Sequence, residues 1–164
     1  MRTPIVPLLL ISLSMVAGTS SIADPRQAIG RFETIASKCQ YRLGSGSLQT
    51  CHVVQMDRKT ATVTGVRFIG RGVVHGSSRH LTFVANAPDE SIPLSCISGS
   101  CTLNKKRWTA TVSSVAESKF DGRGVAEGLP QAWPVKGDCE LSLKKLRCRA
   151  RAMSGEILTG EAQL

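Results

Sequence analysis

The sequence predicts a mainly β protein: a single disulfide-braced antiparallel domain, built as a barrel or a sandwich, with a three-lobed trefoil as the runner-up. Three observations carry this. Alternating and β-branched runs follow Cys39, six cysteines fall in three local couples, and part of the chain repeats itself. The domain is expected over residues 24–164, behind a signal peptide at residues 1–23.

The leader comes first. Arg2 supplies a positive start, and Ile5 to Gly18 is apolar and uncharged, too short and too interrupted by Pro and Ser to span a bilayer. Ser21-Ile22-Ala23 then sets small residues at the positions a signal peptidase reads, so cleavage is expected before Asp24. The expected location is extracytoplasmic, periplasmic or secreted, with no transmembrane segment in the mature chain. About 140 residues remain, enough for one domain with its own core. Aromatic residues make up only 4% of the chain, so that core must be built mainly from Val, Leu, Ile and Ala.

One short N-terminal helix is expected over residues 24–38. Asp24 caps it, Pro25 suits its first position, and Gln27 completes a capping box. Ala28, Phe32, Ile35 and Ala36 recur at helical spacing, and Gly30 costs about 1 kcal/mol relative to Ala.

Strands and turns follow. Thr60-Ala61-Thr62-Val63 and Thr109-Ala110-Thr111-Val112 are β-branched runs. Leu81, Phe83 and Ala85 alternate with their neighbours, as do Leu141 and Leu143. Pro88 to Pro93 and Gly128 to Pro134 read as connecting loops. The two Thr-Ala-Thr-Val runs precede Phe68-Ile69-Gly70-Arg71-Gly72-Val73 and Phe120-Asp121-Gly122-Arg123-Gly124-Val125 at similar spacing. This gives an internal repeat over 39–95 and 96–138, with a truncated third copy at 139–164.

An even number of cysteines in an exported chain reads as a disulfide framework. Six cysteines admit many pairings, but the local couples favour Cys39–Cys51, Cys96–Cys101 and Cys139–Cys148. Turn residues lie between the first two couples, at Gly44-Ser45-Gly46-Ser47 and Ser98-Gly99; Leu143-Lys144 is a poorer turn for the third. The spacings do not match a zinc knuckle.

The formal net charge is +9 at pH 7, of which the leader contributes only Arg2. The sharpest charged feature is one run near the C-terminus. Lys145, Arg147, Arg149 and Arg151 alternate with Leu146, Cys148, Ala150 and Ala152, so a strand there carries four cations on one face over about 20 Å. These four residues are the candidate binding site, suited to an anionic polymer, lipid head groups or an acidic protein. Interleaved aromatic residues for base stacking are missing, so nucleic acid fits poorly. Glu140 is expected opposite Arg147, partly neutralising it.

Catalytic signatures are missing. Gly44-Ser45-Gly46-Ser47 lacks the spacing of a nucleophile elbow. His75 and His80 flank a four-residue loop and should be cross-strand neighbours, but no further ligand is implied, so neither a metal site nor a cofactor is expected. Asp57, Asp121 and Asp138 read as turn residues. Gln131-Ala132-Trp133 resembles the Gln-x-Trp signature of ricin-type sugar-binding trefoils, although it occurs once rather than once per lobe. Trp108 and Trp133 are expected in packing roles. The function expected is a non-enzymatic extracytoplasmic binding module for an anionic partner. The alternatives are a small hydrolase assembled around His75 and His80, and an inhibitor that presents Ile97-Ser98-Gly99-Ser100 to a foreign hydrolase.

Overall fold

The computed structural model describes residues 29–87, 92–104 and 107–164. The expected signal peptide lies outside them, as does the start of the expected helix. Twelve strands form in chain order: β1 Gly30–Ile35, β2 Lys38–Leu43, β3 Gln49–Thr50, β4 Val53–Arg58, β5 Val63–Arg71, β6 Ser78–Asn86, β7 Leu94–Ile97, β8 Gly99–Leu103, β9 Trp108–Phe120, β10 Gln131–Ser142, β11 Lys145–Ala152 and β12 Ile157–Gln163. They make one curled open sheet in the order β3-β2-β12-β11-β10-β9-β6-β5-β4-β1-β8-β7, and no helix occurs among the described residues. Neighbours are antiparallel except β1 and β8. The chain is thus mainly β, but its strands share one sheet rather than two stacked layers or three lobes.

The curl has a local cause. Only Ala36 and Ser37 separate β1 from β2, yet β1 pairs with β4 while β2 pairs with β12. Ala36 N–H donates to His52 O and Ser37 N–H to Gln163 O, each at 2.9 Å. One stretch of chain therefore bonds to both ends of the β4-β5-β6-β9-β10-β11-β12 meander and draws them round a shared interior. β3 and β7 remain as short free edges, a form that limits unwanted strand pairing.

The interior is filled by the alternate residues of each strand. Val54 and Met56 of β4, Val66 and Phe68 of β5, and Leu81, Phe83 and Ala85 of β6 are fully buried. Phe68 meets Phe83 edge to face at 5.8 Å. A Cβ at Gly160 would overlap the Phe68 ring, so β12 and β5 touch across the interior although four strands lie between them in the sheet. Trp108 is buried and Trp133 packs against the same core, as expected.

All three local disulfides form, bracing the sheet and consistent with an oxidising extracytoplasmic location. Cys96 stands opposite Cys101 on β7–β8, and Cys139 opposite Cys148 on β10–β11. Leu143 takes φ 58° to close the β10–β11 turn, a strained conformation for a residue with a branched side chain. Cys51 donates its N–H to Cys39 O at 3.0 Å, which brings the first pair together.

Three expectations are corrected. Residues Gly30–Ile35, expected in the helix, are strand β1, with Phe32 packed on the core and Arg31, Glu33 and Ile35 outside. Ile35 is 81% exposed, so the apparent helical stripe was not an inner face. The same residues also alternate with period two, and an available β4 edge satisfies their backbone better than a short isolated helix can. The internal repeat is not supported either. Thr60 to Thr62 form the β4–β5 turn, where Thr60 Oγ1 accepts the N–H groups of Thr62 and Val63, whereas Thr109 to Val112 lie within β9. Phe68 to Arg71 are strand, but their counterparts after Phe120 are loop. Threonine serves both turns and strands, so similar strings adopted different structures. Gln131 to Pro134, expected as loop, open β10, where the pairing with β9 shifts between Pro134 and Gly137.

Candidate functional site

The basic run lies on β11 with the alternation its sequence implies. Leu146, Cys148, Ala150 and Ala152 are buried, while Lys145, Arg147, Arg149 and Arg151 are exposed on the outer face. The inward-facing disulfide at Cys148 ties β11 to β10 beneath this row.

Its surroundings decide which cations are available. Lys145 Nζ lies 2.8 Å from Glu161 Oε1, and Arg147 Nη2 lies 3.1 Å from Glu161 Oε2. The Lys145 hydrogen bond holds the Glu161 carboxyl below its usual range; burial opposes it, and the Arg147 charge adds to the lowering. Glu140 does stand opposite Arg147, but the carboxylate that engages Arg147 is Glu161, on the other neighbour strand. Arg149 faces Asp138 and Thr159 and makes no ion pair among the described residues. Arg151 faces Lys136 and Ile157, and among the described residues its side chain makes only a long hydrogen bond of 3.5 Å, to Gly155 O. The row is therefore half neutralised, and its free end lies toward Arg151.

The neighbouring strands widen the basic surface. β2 contributes Lys38 and Arg42 across β12, and β10 contributes Lys136. With the β11 row this makes seven exposed cations against three carboxylates, Asp138, Glu140 and Glu161. One hollow between these side chains is bordered by Gln40, Leu48, Arg147, Arg149, Thr159 and Glu161. A row of cations on such a face can hold an extended anion.

The histidines are arranged differently from expectation. β5 ends at Arg71 and β6 starts at Ser78, so the loop is longer than four residues. His80 stands opposite Ile69, and His75 is at the loop. His75 instead borders a hollow with His52, Arg71, Ser77 and Ser78. His80 packs on Phe120 at 4.5 Å with Ser78 Oγ 3.0 Å from its Nε2. Burial first, and then the Arg67 charge, lower its pKa to about 4, so it is neutral at pH 7. No group of three or more His, Cys, Asp or Glu side chains gathers into a possible metal site among the described residues, and no helix there is long and apolar enough to cross a membrane.

Sequence reasoning missed a second charged cluster. Asp57 lies in β4 rather than in a turn, its side chain 5% exposed. Arg31 Nε donates to its Oδ1 at 2.8 Å, with Arg67 Nη2 at 3.5 Å and Lys59 Nζ at 4.0 Å from Oδ2. Arg67 also donates to Gln55 Oε1 at 2.7 Å and Thr82 Oγ1 at 3.2 Å. Gln55 and Asp57 alternating with Val54 and Met56 was the available signal. Asp138 is also a strand residue, while Asp121 is in a turn, accepting the N–H groups of Arg123 and Val125. The Cys96–Cys101 hairpin exposes Ile97 at 72%, but Gly99 and Ser100 are paired to Gly30 and Arg31 of β1. Compared with known proteins, the chain matches no family model, no curated protein and no solved structure.

Proposed function

We propose that this chain is exported behind residues 1–23 and works as a non-enzymatic binding module for an anionic polymer, of which an acidic polysaccharide is the best fit. The observation that carries the reading is the β11 row, in which Arg149 and Arg151 keep their charges unmatched by any ion pair among the described residues. A strand bonded on both sides and bridged by Cys139–Cys148 is rigid, so docking costs little ordering entropy. The repeating anions of a polysaccharide suit a flat row of cations better than one small ligand does, since no pocket need form.

The test is a heparin titration followed by amide chemical shifts at low and at physiological salt. Shifts should concentrate on β11, β12 and β2, and should weaken steeply as the Debye length falls to about 8 Å. Shifts centred on the hollow at His52 and His75 would contradict the reading. A second reading, inhibition of a hydrolase by the Cys96–Cys101 hairpin, rests on the exposure of Ile97. It predicts that Ile97→Asp abolishes inhibition in a panel of secreted proteases.

A further inference from the structure

The cluster around Asp57 carries more positive charge than its carboxylate balances. Arg67 lies deepest, its side chain 26% exposed; it donates to Gln55 and Thr82, and its Nη2 lies 3.5 Å from Asp57 Oδ2 as an ion pair. It suffices to match the Asp57 charge. Arg31 and Lys59 approach the same carboxylate from the solvent side, with side chains 57% and 58% exposed. Arg31 commits only Nε, which leaves both its Nη groups to solvent. Two cations are thus held within 4.0 Å of one carboxylate that already has a partner.

The surface beside them is open. Arg31 and Lys59 border a hollow together with Gly30, Asp57, Arg58 and Gly99, so three cations and one carboxylate line it. Gly99 has φ 85° and, among the described residues, nothing within 4 Å of where a Cβ would stand, so that wall is open. Arg58 Nε is buried without a hydrogen-bond partner among the described residues, while its Nη1 donates to Leu94 O at 3.2 Å.

We propose that Arg31 and Lys59, converging beside Asp57 on this hollow, form a second anion site that takes a tetrahedral oxyanion, a phosphate or sulfate group. Two surplus charges match one doubly charged oxyanion. A guanidinium edge supplies paired N–H donors in the geometry such oxygens accept, and the ammonium adds a point charge from the other side. The site lies on β1, β8 and the end of β4 with the residue that follows it, separate from the β11 row, and does not depend on that row's function.

The experiment is an NMR titration in chloride buffer with two probes, inorganic phosphate and glucose 6-phosphate. Saturable shifts are expected at Gly30, Arg31, Lys59 and Gly99. Affinity should fall about tenfold in Arg31→Gln and again in Lys59→Gln, the loss of one charge-assisted contact each. It should be unchanged in the Arg147→Gln/Arg149→Gln/Arg151→Gln variant, which separates this site from the polymer-binding reading. Tighter binding of the sugar phosphate assigns the site to a phosphoryl group on a larger ligand; tighter binding of inorganic phosphate assigns it to the free ion. No saturable shift with either probe overturns the proposal. So does equal affinity in the wild type and the Arg31→Gln/Lys59→Gln variant; because Arg31 hydrogen-bonds the buried Asp57, the fold of that variant is checked by its amide spectrum, and the Lys59→Gln variant alone keeps the test if it does not fold.

Discussion

Asp57 and Glu161 are both carboxylates held between cations on the outer face of the same sheet, but they sit at different depths. Asp57 is 5% exposed and shares Arg31, Arg67 and Lys59; Glu161 is 35% exposed and shares Lys145 and Arg147. Near water an ion pair contributes little to stability, because solvent and salt compete for both charges. Under neighbouring side chains the same chemistry cannot be broken cheaply, because a buried charge left alone has no water to replace its partner. The Asp57 cluster is accordingly read as structural at its inner side, whereas the Glu161 cluster sets how much charge the β11 row presents.

The largest expected effect follows from this contrast. Asp57→Asn should destabilise the fold by about 3 kcal/mol in urea denaturation, since Arg67 is left without its charge partner. Glu161→Gln should change stability by less than about 1 kcal/mol. Equal effects of the two substitutions would break the comparison.

The two clusters also differ in how far the sequence discloses them. The β11 row is legible because every member lies on one strand, and the contrast between cation and small apolar residue has period two. The cysteine couples are legible for the same reason, since each closes within a single hairpin. The Asp57 cluster draws on β1, β4 and β5, and its geometry exists only once those strands pair. β1 itself was hidden by an ambiguity of period: Phe32, Ile35 and Ala36 suit a helix, while Phe32, Thr34 and Ala36 suit a strand. What decides between them is the free edge of β4, which no local pattern reveals. His75 and His80 were misjudged through the loop length alone, and the link of His75 to His52 is tertiary.

A smaller effect concerns pH around Arg67, which lowers the pKa of His80 as well as holding Asp57. The folded pKa of His80 is about 4, below its ordinary value of 6.5, so between those values the unfolded chain binds more protons. This contribution to stability is complete above pH 6.5 and is lost as pH falls toward 4. His80→Gln should flatten the stability profile in that window, measured by denaturation at a series of pH values. An unchanged slope would show that His80 is charged in the folded state.

The smallest effect sharpens the comparison from the exposed side. Glu161→Gln releases Lys145 and Arg147, so the variant should elute from heparin at moderately higher salt while melting close to the wild type. Asp57→Asn should not raise that salt beyond what one added net charge gives at a site remote from β11.

The most direct test compares two variants of equal net charge on a heparin column. In one, Arg147, Arg149 and Arg151 become Gln; in the other, Arg71, Lys119 and Arg123 do, all exposed positions away from the β11 row. Folding should be nearly intact in both, because exposed substitutions seldom cost more than about 0.5 kcal/mol each. If β11 is the docking surface, the first variant loses most of its retention and the second keeps most of it. Equal losses would mean that only net charge matters, and the β11 row would then be no more than a solvated strand face.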